Sequence, residues 1–188
     1  MIYVIRHGQT ELNSAHALQG RSDAPLNERG KEQAREVGRL LAARGVTFSH
    51  VFSSPLQRAV QTAKIVAPYA TVQCDERLIE MDYGPYEGID LKDPPPEIIS
   101  FFSDFVHNPA PKGMEQLAHV VERTGAFVED IKGLAGDVLV LTHAIAMKGI
   151  LEYLTPDSGG AHWSKFLGNC AVYTIAVEDG HLGVPAEL

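Results

Sequence analysis

Two histidines and two arginines stand where their side-chain types could handle a phosphate ester. Arg6-His7-Gly8-Gln9-Thr10-Glu11-Leu12-Asn13 follows a short apolar run, Ile2 to Ile5. Ser53-Ser54-Pro55-Leu56-Gln57-Arg58 continues from a second run that begins at His50, and Thr142-His143 follows a third, Val138 to Leu141. Arginine grips phosphate oxygens through a planar, bidentate fork. Gly8 lets backbone approach a ligand closely and frees nearby N–H groups to donate. A neutral imidazole can attack phosphorus and leave a phosphohistidine that water then cleaves. Taken singly, each residue has an ordinary reading. A histidine at a strand end is commonly a hydrogen-bonded rim residue, a lone arginine is commonly a surface ion pair, and Arg-His-Gly is a short match. The joint pattern at separate strand ends carries phosphoryl transfer, with His7 as the nucleophile.

That chemistry needs three further things. Cations must hold the three equatorial oxygens. A proton must reach the leaving oxygen. An acceptor must fix the imidazole tautomer. The proton donor should be a carboxyl in the stretch from Arg77 to Gly88, where Glu80, Asp82 and Glu87 compete and spacing does not choose among them. The chain has no Walker-type Gly-Lys-Ser/Thr loop, so nucleotide hydrolysis of that kind is unsupported. It has no His-x-x-x-His or His-Glu-x-x-His spacing, and arginines would repel a cation, so metal-free chemistry without a cofactor is expected.

The elements that must position these residues alternate between strand and helix. Asn27 can cap a helix from about Glu28 to Arg44, with Ala34, Val37, Leu40 and Leu41 on one face and Gly45 as its stop. Ser54-Pro55 opens a second helix lined by Ala59, Ala63 and Val66 and ended by Pro68. Thr71 to Cys74 reads as a weak strand. Ile98, Ile99, Phe102 and Phe105 suggest a short helix after Pro94-Pro95-Pro96. A longer helix runs from Leu117 to Ile131 and ends at Gly133. Val138 to Leu141 is the clearest buried strand, Ile145 to Leu154 a helix, and Ala171 to Val177 a late strand, with a Gly-rich loop at 157–168 between them. This order implies an α/β fold, a three-layer α/β/α sandwich around a mainly parallel sheet. In such sheets ligands sit beyond the carboxyl ends of the strands, where both histidines and both arginines fall.

The chain has 188 residues, which suits one domain over 1–188, with residues 85–115 as a flap or insert. Apolar residues make up 45% and charged residues 21%, which excludes disorder and a disulfide scaffold. The formal net charge of -8 argues against a nucleic-acid binder. The charge is uneven: residues 1–75 carry nine Lys/Arg against six Asp/Glu, and residues 76–188 carry seven against eighteen. Cations are thus concentrated in the part that holds Arg6 and Arg58. Two cysteines, no signal-like leader and no long apolar run point to a cytoplasmic protein with no membrane partner. A homo-oligomer is compatible with the sequence but not encoded in any readable motif.

In ordered succession, the motifs identify a resemblance to the histidine phosphatase superfamily, the phosphoglycerate mutase-like fold. They are Arg6-His7-Gly8-Gln9-Thr10 with Asn13; Gln19-Gly20 with Asp23 and Pro25-Leu26; Gly30 with Gln33-Ala34; Ser53-Ser54-Pro55-Leu56 with Arg58-Ala59 and Gln61-Thr62-Ala63; Leu78 with Glu80, Gly84 and Glu87-Gly88; Gly113 with Glu115; and Thr142-His143. The resemblance implies that His7 is phosphorylated, that Arg6, Arg58 and His143 hold the phosphoryl oxygens, and that Glu80 is the acid and later the base. It also implies that Asn13 and Gln19-Gly20 line the substrate side, and that His143 is a cation or a donor beside phosphate. Glu115 has the plainer reading of a carboxylate at a helix start. Ala144 after His143, where the family often has Gly, and Leu12 before Asn13, where many members have Trp, are departures that bear on substrate shape.

The function expected is a phosphomonoesterase acting on small phosphorylated metabolites. Its alternatives are a cofactor-dependent phosphoglycerate mutase and, remotely, a non-catalytic phospho-ligand binding module. The short insert between Gly88 and Gly113 favours a pocket that water enters. Tyr83, Tyr86, Phe101, Phe102, Phe105 and His107 are candidates to touch the leaving group, although Phe102 and Phe105 read better as packing residues. Only Lys92 and Lys112 carry positive charge between residues 78 and 122, which counts against a bisphosphate substrate.

Overall fold

The computed structural model describes residues 1–188. Its helices are α1 (Glu11–Ser14), α2 (Glu28–Ala43), α3 (Gln57–Val66), α4 (Pro96–Ser103), α5 (Leu117–Ile131) and α6 (Ala144–Leu154). Its strands are β1 (Ile2–Arg6), β2 (Phe48–Ser53), β3 (Val72–Cys74), β4 (Asp137–Thr142), β5 (Val172–Ile175), β6 (Val177–Glu178), β7 (His181–Leu182) and β8 (Ala186–Glu187). Six strands form one sheet in the order β3-β2-β4-β1-β5-β8. The first four are mutually parallel and β5 runs antiparallel to β1. This is the three-layer, mainly parallel α/β fold that the alternating pattern implies.

Each central strand serves two cores because successive side chains point to opposite faces. Val138 and Val140 of β4, with Ile2 and Val4 of β1, pack against Phe127, Val128 and Ile131 of α5 and Met147, Ile150 and Leu151 of α6. Leu139 and Leu141, with Ile5 and Val51, pack against Ala34 and Leu41 of α2 and Ala59, Ala63 and Val66 of α3. Both faces are covered, so the strands read as unbroken apolar runs. A third apolar cluster stands beside the strand ends. It joins Ile98 and Phe101 of α4 to Leu18, Met81, Tyr83 and Trp163.

Helix boundaries follow local chemistry. The Asn27 side chain accepts from the Gly30 N–H at 2.8 Å and opens α2, and Gly45, at φ +75°, turns the chain away at its far end. Leu40 is a correction to the apolar stripe: it is 43% exposed. Ala34 and Leu41 are seven residues apart and share a face, whereas Leu40 lies about 100° around the helix from Leu41. Between β1 and α2 lies α1, a single turn that Thr10 and Asn13 close as a reciprocal cap. The late strand also ends sooner than its apolar pattern suggests. Beyond Ile175 the chain turns into the β6–β7 hairpin through Asp179 (φ +50°) and Gly180 (φ +77°). No helix is long and apolar enough to cross a membrane.

Leu139 is fully buried in the sheet's α2/α3 face. Leu139→Ala is expected to lower unfolding free energy by about 2–5 kcal/mol in urea titrations. A loss below about 1 kcal/mol would contradict the packing described.

Candidate active site

Strand register brings the chemical groups together. Arg6 pairs with Thr142 at the ends of β1 and β4, and Ser53 of β2 pairs with Leu141. The next residues, His7 and His143, leave the sheet side by side with ring centroids 5.0 Å apart. Arg58, in the first turn of α3, is wholly buried behind them. Its Nε–H is shared between His7 Nε2 at 3.3 Å and His143 Nδ1 at 3.1 Å. Its two Nη groups donate to the carbonyls of Ser22 at 2.7 Å and Gly20 at 2.6 Å.

A guanidinium can only donate, so this sharing fixes both tautomers. His7 Nε2 carries a lone pair, and its Nδ1–H donates to the Gly8 carbonyl at 2.7 Å. His143 Nδ1 carries a lone pair, and its Nε2–H donates to Ser54 Oγ at 2.7 Å. Burial, and then the neighbouring Arg6 and Arg58, holds the His7 imidazole well below its ordinary range. Burial and Arg58 do the same to His143. Of the two forms expected for His143, the cation is therefore disfavoured, and the one N–H of the neutral ring is given to Ser54. Burial lowers Arg58 too, to about 10, which leaves it cationic at neutral pH.

Neighbouring backbone holds this cluster rigidly. A Cβ on Gly8 would sit 2.4 Å from the Gly30 carbonyl oxygen, so only glycine permits this approach of the His7 loop to α2. The loop at 20–22 is gripped from both sides. Arg58 takes its carbonyls, and Glu87 accepts from Gly20 N–H at 2.9 Å, Ser22 N–H at 3.1 Å and Ser22 Oγ–H at 2.5 Å. Asn13 Nδ2 and Thr10 Oγ1 both donate to Gln19 Oε1, at 3.3 Å and 2.7 Å. That leaves Gln19 Nε2 buried without an acceptor, and Arg6 Nε is in the same condition. Two unpaired buried donors at one site are what an anionic ligand would satisfy.

The three competing carboxyls separate cleanly in space. Glu80 is 3% exposed and lies at the start of α6, where Oε1 accepts from Ala146 N–H at 3.0 Å and Oε2 from Ile145 N–H at 3.1 Å. It replaces the side-chain cap that His143 does not supply. Asp82 lies near Arg21 at 3.3 Å, with a 44% exposed side chain, and Glu87 is committed to the 20–22 loop. Glu115 does not line the cavity that opens at the strand ends; it accepts from Arg123 Nε–H at 2.8 Å and from the Asp82 N–H at 3.1 Å and contacts His119 Nδ1 at 2.6 Å.

A cavity of about 400 Å³ opens at the strand ends. Arg6, His7, Asn13, Gln19 and Glu80 line it, whereas Arg58, His143 and Gly20 lie behind the lining. Of the aromatic candidates, Tyr83, Phe102 and Phe105 reach the cavity, and Tyr86, Phe101 and His107 do not. Phe102 and Phe105 thus pack and line at once, which corrects their reading as packing residues alone. Neither Lys92 nor Lys112 lines the cavity, but Lys148 and Lys165 do. Trp163 to Leu167, from the stretch read as plain loop, also line it. Lys148 was legible in principle: Ala144, Ile145 and Lys148 share the helix face that follows His143.

The family model for the histidine phosphatase superfamily (branch 1) matches residues 2–185. A Hydrogenobacter thermophilus protein named as a phosphoserine phosphatase is 30% identical over 184 residues, covering 94% of this chain and 89% of its own. A Yersinia pestis protein named as a phosphoglycerate mutase is 31% identical over 186 residues, covering 95% and 85%. Among solved structures, Bacillus stearothermophilus YhfR matches with a TM-score of 0.83 at 28% identity, covering 97% of this chain and 94% of its own.

The two depressed imidazoles set a pH dependence of stability. Their folded pKa values lie below the unfolded value of 6.5, so the unfolded chain gains protons first as pH falls. The stability these two histidines contribute is complete above about pH 6.5 and declines as pH falls from there towards the folded values. The urea midpoint should drop between about pH 7 and about pH 5.5, and less so in His7→Asn. A midpoint equal at both pH values would contradict the burial of neutral histidines.

Proposed function

The chain belongs to the histidine phosphatase superfamily, and on that premise we propose a metal-independent phosphomonoesterase of small phosphorylated metabolites that works through a phosphohistidine on His7. One observation carries the reading. On a cavity wall, His7 is neutral, its Nδ1–H is tied to a carbonyl, and its Nε2 lone pair is held among arginines. In this reading 1–188 is a single domain and residues 85–115 serve as its flap.

The chemistry balances with this chain's own groups. His7 Nε2 forms a bond to phosphorus as the ester P–O bond breaks in line. Glu80 delivers a proton to the leaving oxygen, while Arg6, Arg58 and His143 hold the equatorial oxygens, His143 by turning its Nε2–H from Ser54 Oγ to the phosphoryl group. Glu80 then takes a proton from water, the resulting hydroxide attacks phosphorus, and the P–N bond breaks. Inorganic phosphate leaves and His7 is restored. Asn13 and the unpaired Gln19 Nε2–H face the ester on the substrate side, and Gly20 acts through Arg58. Small phosphorylated metabolites are supported by the relatives named above, one a phosphoserine phosphatase and one a phosphoglycerate mutase. Two free cysteines, Cys74 and Cys170, support a reducing compartment such as the cytoplasm.

A mutase is the second reading, favoured by the 31% identical mutase-named relative. Hydrolysis is the better reading because the cavity mouth is open: Phe166, on its wall, is 86% exposed, so water can reach a phosphohistidine. Efficient conversion of 3-phosphoglycerate to 2-phosphoglycerate with bisphosphoglycerate present, without net phosphate release, would reverse that preference.

Phosphate release from 4-nitrophenyl phosphate in excess chelator is the direct assay. Turnover is expected, and His7→Ala should lower it by roughly three orders of magnitude or more. Wild-type-like turnover in that variant would sink the reading. Glu80→Gln should slow alkyl esters by about 10²–10⁴-fold and nitrophenyl phosphate by less, because nitrophenolate leaves with little need of a proton. Equal losses on both would remove Glu80 as the acid. Glu87→Ala, which frees the loop that positions Arg58, should lower kcat by about tenfold to a hundredfold on either ester. An unchanged kcat would show that Arg58 holds its place without it.

A further inference from the structure

Lys148 is a buried cation that the proposed chemistry leaves unused. It is 8% exposed and lines the same cavity as His7 and Glu80. Its ammonium makes one hydrogen bond, to the Trp163 carbonyl at 2.6 Å, and stands 5.3 Å from the centre of the Phe105 ring. It forms no ion pair, although twelve contacts of Lys, Arg or the N-terminus with carboxylates occur in the molecule. An ammonium has three donors, so two remain to be used. A buried charge with no partner is expensive, and burial lowers this one to about 8. The other cavity lysine, Lys165, is exposed and already paired with Glu187 at 2.7 Å. Apolar side chains that share the cavity lining with it include Leu18, Tyr83, Phe102, Phe105 and Trp163.

We propose that Lys148 recognises a carboxylate on the part of the substrate that is not transferred, which makes it a specificity-determining residue for carboxylated phosphate esters. The proposal rests on the phosphatase reading only in assigning the phosphoryl end to His7. A carboxylate fits the chemistry because one charge meets one charge, and its two oxygens match the two free N–H donors. A second phosphate would bring more charge than a single buried lysine balances. An uncharged leaving group would leave Lys148 as a strut that holds the Trp163 loop.

The test is a matched pair, 3-phosphoglycerate and glycerol 3-phosphate, which differ in a carboxylate replaced by a hydroxymethyl group. The wild-type kcat/KM ratio should favour the carboxylated ester. In Lys148→Met, which keeps the apolar stem, that ratio should fall tenfold or more through KM, and Lys148→Arg should keep most of it. A ratio unchanged in Lys148→Met, or equal losses on both esters, would overturn the proposal in favour of the strut. A preference for fructose 1,6-bisphosphate over both esters, lost in Lys148→Met, would overturn the carboxylate in favour of a second phosphate. Calorimetric binding of 3-phosphoglycerate relative to inorganic phosphate is measured alongside on both proteins. If the wild type cleaves neither ester, that binding ratio alone decides Lys148, a tenfold fall in the variant supporting it and no fall overturning it, while turnover of 4-nitrophenyl phosphate decides the phosphatase reading separately.

Discussion

A guanidinium with no water around it must find an acceptor for its N–H groups, and the site follows from how Arg58 does so. Its Nε–H reaches two imidazoles and its Nη groups reach two loop carbonyls. Each of those bonds decides something else. The imidazole bonds set which nitrogen of His7 and of His143 carries a proton. The carbonyl bonds pull the 20–22 loop against the strand ends, where Glu87 holds its N–H groups from the other side. Thr62, one turn along α3, donates to the Arg58 carbonyl and accepts from the Gly8 N–H, so helix and histidine loop are tied together. Burial thus bears on chemistry directly: the same desolvation that burdens Arg58 keeps His7 neutral, with a lone pair on Nε2.

The acidic side of the site is built on a different constraint. Helix α6 begins at the rim, and its first N–H groups have no partner of their own. Glu80 supplies one from a distant loop, and its carboxyl thereby comes to lie on the cavity wall. The same helix face then carries Lys148 one turn further on. The start of α6 thus places Glu80 and Lys148 on the same cavity. The net negative charge of the chain comes from residues 76–188, which carry seven Lys/Arg against eighteen Asp/Glu.

Much of this was legible in the sequence. The strand ends announced Arg6, His7 and His143 because apolar runs with β-branched residues terminate there, and Arg58 follows Ser54-Pro55 by a few residues. The helices on each face showed in the spacing of Ala34 and Leu41, and of Phe127, Val128 and Ile131. What was hidden depends on contacts between distant segments. Nothing local separates Glu80 from Asp82 and Glu87; they differ in which backbone N–H groups lie opposite them after folding. The Trp163–Leu167 wall was hidden because an irregular segment has no period to read. Leu40 misled because an apolar residue next to the stripe looks like part of it. The hairpin at Asp179-Gly180 has strands of two residues, too short for alternation to show.

The account stands or falls on His7 Nε2 as the atom that takes the phosphoryl group. The most direct measurement mixes enzyme with a phosphate ester, stops the reaction in alkali within milliseconds, and maps phosphate by mass spectrometry of the digested chain. Phosphohistidine survives alkali and is lost in acid. The account predicts acid-labile phosphate on the peptide containing His7, attached at Nε2. Turnover with no such adduct, or phosphate at His143 or on a carboxylate, would contradict it.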